Sequence, residues 1–294
     1  MHIAFDEAVK KAQERGIRVT GSELVGLVPL NALLEAGRYF LKKQERSVGV
    51  SDEELIKIAI KSMGLDDLKP FNPRERVIEY LIEDKSSKLI HMDLKAFADE
   101  TASESPAPGG GSISAYVGAL GVSLGTMVAN LSAHKRGWDN RWEEFSNWAE
   151  KGMAYQKQLL QLVDEDTNAF NKIMDAFGLP KGTEEEKAER RAVIQEATKY
   201  ATEVPFKVLD TCFKSMEVMK AMAETGNPNS VTDAGVGALC ARTAVRGALL
   251  NVKINASGLD DKSFATEIVS KGEAIAVQAL SLENEIMTIV ESKL

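Results

Sequence analysis

The pattern of apolar and polar positions divides the chain into two textures. Up to about residue 91 the periodic stretches are short and separated by turn residues. A helix over 3–15 carries Phe5, Val9 and Ala12 on one side and ends at Gly16. The run IRVTGSELVGLVP mixes a strand with turn chemistry, and Pro29 opens a helix through about Lys42. Ser51, with Glu54 three residues on, forms a capping-box signature for a helix that carries Leu55, Ile58, Ala59 and Ser62 to Gly64. KPFNPRERVIEYLIED reads as a last short helix and DKSSKLIH as a polar linker. This is the pattern of a small α/β fragment with too few strands for a sheet of its own. From Met92 onward the pattern is that of long helices. One follows the glycine-rich stretch near residue 110, and the next runs from about Arg141 to Phe177. A third starts at a Thr183–Glu186 capping box and contains Pro205, which should kink or break it. The last two run from about Val231 to Ala256 and from Phe264 to Ser292. Five long helices with short connections predict a mainly α fold, an up-and-down bundle over 92–294 behind a fragment at 1–85 and a linker at 86–91.

The helix near residue 110 has an unusual surface. Ser105 to Ala133 reads SPAPGGGSISAYVGALGVSLGTMVANLSA and holds no charged side chain. Pro106 and Pro108 keep the approach extended, because a residue before proline is pushed out of the helical region. Gly109, Gly110 and Gly111 let backbone amides converge, and Ser112 suits a helix cap. Positions 111, 115, 118, 122, 125 and 129 then read Gly, Ala, Gly, Val, Gly, Ala. Each interior glycine costs about 1 kcal/mol against alanine, so the seam invites another backbone or a flat ligand to come very close. A membrane span is disfavoured by Ser112, Ser114, Ser123, Thr126 and Asn130, and no aromatic belt or basic flank frames the stretch on both sides. A phosphate loop is excluded, since no lysine-serine or lysine-threonine pair follows the glycines.

Composition narrows the partners. A net charge of −8 argues against nucleic-acid binding, which needs a basic face. The two cysteines, Cys212 and Cys240, lack CxxC spacing and read as reduced core residues of a cytoplasmic protein. His2, His91 and His134 are scattered, so no histidine metal site is expected. Trp138, Trp142 and Trp148 fall close together after the glycine helix, which suits a core or a subunit interface.

Two interruptions of apolar stripes are candidate chemistry. On the helix ending at Phe177 the stripe is Leu159, Val163, position 166, Phe170, Ile173 and Phe177, and position 166 is Asp166. A carboxylate facing a core costs several kcal/mol unless it is paired or used, and burial would raise its pKa toward the range of proton transfer. Either it serves as an acid/base or an amide or buried lysine satisfies it. Asp164 and Glu165 point elsewhere and read as solvated. On the Val231 helix, positions 237, 241, 244, 248, 251 and 255 read Gly, Ala, Ala, Ala, Asn, Asn. Asn251 and Asn255, one turn apart, suit either a flat heterocycle or the carbonyls of a neighbouring helix end. Asp233 should close a capping box with Ser230, and Lys135 with Arg136 forms a small cationic spot past the glycine helix.

The SPAPGGGS opening, LVDEDTNAF, GNPNSVTD and the NVKIN pair, in this order, resemble formiminotetrahydrofolate cyclodeaminase over about Met92 to Leu294. The front, with VTGSELVGLVPLNALLEAG and GLDDLKPFNPRERVIEYLI, is similar to the end of glutamate formiminotransferase, the enzyme fused ahead of the cyclodeaminase in the bifunctional protein. The transferase's N-terminal subdomain, with its catalytic histidine, has no counterpart here, which implies a front without transferase activity. The resemblance implies a cytoplasmic, folate-binding ammonia lyase of histidine degradation and one-carbon metabolism. It would close 5-formiminotetrahydrofolate to 5,10-methenyltetrahydrofolate and ammonia. Asp166 matches the family's catalytic aspartate. Gly109, Gly110, Gly111, Ser112, Asn251 and Asn255 fall around its folate site, and Lys135 and Arg136 match its two basic residues, suited to the anionic glutamate tails of folates. No metal or cofactor beyond the tetrahydrofolate substrate is implied, and the family's site between subunits implies a homodimer or higher homo-oligomer. Two alternatives stand beside this: methenyltetrahydrofolate cyclohydrolase on the same bundle, and a non-catalytic oligomerisation module.

Overall fold

The structure is a computed structural model that describes residues 1–83 and 89–294. Part of the expected linker therefore lies outside the described residues, and Leu89–His91 form a single 3-10 turn. The chain groups into two compact units, residues 1–86 with 130–150, and residues 87–129 with 151–294. These units divide the chain differently from an 85/92 boundary, because residues 130–150 group with the front.

The first unit contains α1 (His2–Gln13), α2 (Leu30–Lys43), α3 (Asp52–Met63), α4 (Pro73–Arg76) and α5 (Ile78–Leu81). Ser51 Oγ accepts the Glu54 N–H to start α3, and Gly64 ends it in the left-handed conformation. Leu33, Phe40, Leu55, Met63 and Val77 fill the core. The expected α/β character is not found. The strand-like run supplies only an isolated parallel bridge between Val28 and Val77, with Val28 N–H on Arg76 O at 2.9 Å and Ile78 N–H on Val28 O at 3.0 Å. Val28 is buried in the core while Val25 and Leu27 are exposed, and among the described residues no further pairing extends the bridge into a sheet. Val77, extended by this bridge, also splits the expected last helix into α4 and α5. Residues 130–150 complete the unit. Asn130 Nδ2 donates to Gly49 O at 2.8 Å, Ser146 Oγ accepts the Val48 N–H at 3.0 Å, and Trp138 stacks on the buried Phe145 with centroids 5.5 Å apart. The three tryptophans are each half-buried.

The second unit is built from α6 (Leu94–Thr101), α7 (Gly110–Ala133), α8 (Trp142–Phe177), α9 (Glu184–Thr225), α10 (Val231–Ser257) and α11 (Lys262–Glu291); the last turn of α7 and the first turns of α8 belong to the front unit. The Thr183–Glu186 capping box is present and opens α9. Two local expectations change. Helix α9 runs unbroken through Pro205, and Ser230 makes no side-chain cap at α10, which a 3-10 turn at Pro228–Ser230 leads into directly. By length and composition alone α7 could cross a membrane, but its small-residue face is buried against α8, α9 and α10.

That burial identifies what fills the glycine seam. A Cβ on Gly118 would overlap Cys212 Sγ of α9, and Ala244 of α10 and Leu159 of α8 stand close beside it. Gly121 and Gly237 meet backbone to backbone: a Cβ on either would sit 2.7 Å from the other's carbonyl oxygen. The seam is thus occupied by the chain's own helices and is no evidence for a subunit boundary. Gly121→Ala should overpack it and cost about 1–3 kcal/mol, since two backbones cannot yield as a flexible side chain can. Urea denaturation of the variant should show this loss, and sedimentation should show its assembly state unchanged.

Candidate active site

The site is assembled where α7 begins. The first amides of a helix have no partner within it, and the helix dipole favours negative charge there. Helix α8 supplies that charge. Asp166 Oδ2 accepts the Ser112 N–H at 2.8 Å and lies 3.1 Å from Ser112 Oγ. Gly111 makes this approach possible, because a Cβ at 111 would lie 2.5 Å from Asp166 Cγ. The carboxyl is held above the usual carboxylate range by burial, against the two bonds from Ser112 that favour its ionised form.

Ser112 is fully buried, and its hydroxyl also faces Val163 O at 2.9 Å. A hydroxyl has one proton, so it donates to Val163 or to Asp166, not to both. With Asp166 protonated, the carboxyl O–H donates to Ser112 Oγ while Ser112 donates to Val163, and both hydroxyl hydrogens are paired. With Asp166 ionised, the backbone N–H of Ser112 still holds Oδ2. The same geometry therefore accepts both protonation states, as a group that takes up and returns a proton requires.

Asp166 opens onto a cavity of about 200 Å³. Gly109 and Gly110 form one side with Pro106 and Ala107, Thr167, Phe170 and Ile173 come from α8, Ala201 from α9, and Asn251 and Asn255 from α10. The space is smaller than the roughly 300–1,000 Å³ of sites that enclose a drug-sized molecule, so it suits one ring system with the rest of the ligand outside. Both asparagine amides are anchored: Asn251 Nδ2 donates to Gly247 O at 3.0 Å, and Asn255 Nδ2 to Ala201 O at 2.6 Å.

The residues expected from the sequence separate by role. Asp166, Gly109, Gly110, Asn251 and Asn255 line the cavity, while Gly111 and Ser112 lie behind it and hold Asp166. Lys135 and Arg136 follow the other end of α7 and are not among the lining residues; Lys135 Nζ lies 4.1 Å over the Trp138 ring. The stripe beyond Asp166 is not a core. Phe170 and Ile173 face the cavity, and Phe177 is exposed with the Arg190 guanidinium over its ring. Asp164 is not simply solvated, since its Oδ1 accepts the Leu89 N–H at 2.8 Å. Thr167 and Ala201 are lining residues the sequence did not single out. Thr167 adjoins Asp166 and was within reach of the motif. Ala201 carries no chemical signal, because it contributes through a backbone oxygen.

The chain matches the family described as formiminotransferase-cyclodeaminase over residues 93–274 and the formiminotransferase domain over residues 1–83. It is 38% identical over 266 residues to the formimidoyltransferase-cyclodeaminase of Rattus norvegicus, covering 90% of this chain and 49% of that one. It is 40% identical over 200 residues to the methenyltetrahydrofolate cyclohydrolase of Methylorubrum extorquens, covering 68% of this chain and 96% of the relative. The solved formiminotetrahydrofolate cyclodeaminase of Thermotoga maritima superposes with a TM-score of 0.62 at 27% identity, over 70% of this chain and 98% of that one. The chain spans about half the length of the bifunctional relatives it matches. With the family match over most of its length and a relative aligned nearly end to end, the chain belongs to the formiminotransferase-cyclodeaminase family.

Proposed function

We propose that the chain closes 5-formiminotetrahydrofolate to 5,10-methenyltetrahydrofolate with release of ammonia, as a cytoplasmic folate-dependent ammonia lyase. The observation that carries this reading is Asp166: a largely buried carboxylate, raised in pKa, on a ring-sized cavity and held in a geometry that tolerates either protonation state. In the reaction the neighbouring folate nitrogen attacks the formimino carbon and a tetrahedral adduct forms. A proton leaves the attacking nitrogen, a proton reaches the departing one, the carbon–nitrogen bond breaks, and ammonia leaves. Asp166 can take the first proton and return it to the leaving nitrogen, contributing about 100- to 10,000-fold. Holding the two reacting centres together in a small cavity supplies the rest.

The relative that is a methenyltetrahydrofolate cyclohydrolase favours a second reading, in which water attacks the methenyl carbon in the same cavity. One experiment separates the two. On adding formimino-folate, the methenyl absorbance should rise with one equivalent of ammonia. If methenyl-folate is instead consumed and no ammonia appears from formimino-folate, the cyclohydrolase reading replaces the first.

Folate tails carry several carboxylates, and the cavity lining offers no cation to meet them. Lys135 and Arg136 are the family's match for that task, and the reading is completed by a homodimer or higher homo-oligomer in which a second copy brings them to the cavity mouth. Lys135→Ala with Arg136→Ala should raise KM more for long-tailed substrate than for the monoglutamate, with kcat little changed. Equal effects on both substrates would remove the pair from the site.

A further inference from the structure

Helix α9 contains a proline that has a counterpart on α10. In an α-helix the N–H of residue 205 would bond the carbonyl of residue 201, but proline has no N–H, so the Ala201 oxygen loses its intrahelical partner. Ala201 is buried, and a buried carbonyl without a partner is costly. Asn255 makes up the loss: its Nδ2 donates to Ala201 O at 2.6 Å across 54 residues of sequence. A carbonyl oxygen only accepts, so the group facing it must be the NH2 side of the amide. Asn255 Oδ1 is thereby turned away from α9, and among the described residues it has no hydrogen-bond partner. Asn255 lines the cavity, whereas Pro205 is buried and does not.

We infer that Pro205 is a positioning residue for the ligand: by freeing Ala201 O it captures one amide hydrogen of Asn255, fixes which way the amide faces, and presents Oδ1 to the cavity as a fixed acceptor. Asn251, whose Nδ2 likewise donates one hydrogen to a backbone carbonyl, offers its oxygen from one turn away on the same wall. Two amide oxygens side by side select a ligand edge rich in N–H donors, such as the amino group and ring N–H of an aminopyrimidinone. Such an edge is what the folate reading brings to this cavity, and the assignment of ligand class rests on that reading. The fixing of the amide does not.

The test compares Pro205→Ala, Asn255→Ala, Asn255→Asp and the doubles with the whole chain. In Pro205→Ala the restored N–H bonds Ala201 O within α9 and releases the amide. KM for formimino-folate should then rise about tenfold, the order of one oriented hydrogen bond, with kcat changed much less and thermal stability not reduced. Asn255→Ala should show the same rise, and the double variant no more than either single, because both remove one device. Asn255→Asp should be harmed, since a carboxylate facing a carbonyl lacks the donor. Adding Pro205→Ala should partly rescue it, because the new N–H takes Ala201 O and the aspartate still offers an acceptor. A second readout needs no turnover: the side-chain NH2 signals of Asn255 should exchange slowly with water in the wild type and rapidly in Pro205→Ala. Wild-type KM and unchanged exchange in Pro205→Ala, or multiplying effects in the double, would overturn the inference. Protected Asn255 signals in a wild type that neither releases ammonia from formimino-folate nor consumes methenyl-folate would leave the positioning intact and overturn the folate reading instead.

Discussion

Replacing Asp166 by asparagine is expected to cut ammonia release by about 100-fold or more while leaving the protein folded and more heat-resistant at neutral pH. The loss of rate follows because asparagine cannot take up or return a proton. The fold should survive because the amide oxygen can still accept the Ser112 N–H at the start of α7. The gain in stability follows from the sign of the pKa shift. Burial holds the folded carboxyl above its ordinary, unfolded value, so the folded chain binds this proton more tightly. That contribution is fully present below the unfolded carboxylate pKa and is lost as pH rises through the raised folded value. As pH rises through that raised value the wild type must ionise a partly desolvated carboxyl, and asparagine removes this cost. The difference in melting temperature should therefore shrink as pH falls below about 4, where both folded and unfolded aspartate are protonated. Asp164→Asn keeps an oxygen for the Leu89 N–H and is expected to change turnover less than about twofold. Near-normal ammonia release from Asp166→Asn would remove Asp166 from the chemistry. A melting-temperature difference that grows toward acid pH would show that the carboxylate stabilises the fold.

What the sequence made legible was periodicity and local chemistry. The long helices, the Thr183 capping box and the stop at Gly64 are written in consecutive residues, and the structure has them. Asp166 stood out because a charge interrupts an apolar stripe, although Phe170 and Ile173 beyond it prove to be a cavity wall and Phe177 is exposed. The periodicity marks which residues share a face and does not reveal whether that face meets protein or open space. The same limit explains the glycine seam. Small residues at helical spacing announce a close neighbour, but only the fold shows that Cys212, Gly237 and Cys240 of the same chain supply it. Pro205 read as a kink or a break, and α9 is not broken there: the rule concerns one helix, whereas the carbonyl the proline frees is satisfied from another. The strand expected before Pro29 failed for want of a partner. Strand propensity is expressed only where a neighbouring strand can pair.

Gly111→Ala is expected to be almost as damaging as the loss of Asp166 itself. Propensity alone favours the change, since alanine is better than glycine within a helix by about 1 kcal/mol. Space decides against it. The new Cβ would lie 2.5 Å from Asp166 Cγ, so one of the two must move. Helix α7 has little freedom to do so, because the close contacts at Gly118 and Gly121 key it against α8, α9 and α10. The carboxylate must therefore swing away, and it loses both the backbone N–H and the hydroxyl of Ser112. Turnover should fall about 100-fold, because the base leaves its place beside the reacting nitrogens. Stability should fall by about 1–3 kcal/mol from overpacking. A second substitution separates the steric cause from any other. Asp166→Ala in the Gly111→Ala background removes the obstructing carboxyl, so urea denaturation should recover most of the lost stability while ammonia release stays at the low level of Asp166→Ala alone. Recovery of that kind is a coupling between two residues in contact and is read directly from the double-mutant cycle. If Gly111→Ala turns over normally, the carboxylate works from a position that Ser112 does not hold, and Ser112 loses its role at the site. If stability is lost and Asp166→Ala fails to restore it, Gly111 is needed for the helix start itself, and the approach of Asp166 is incidental to it.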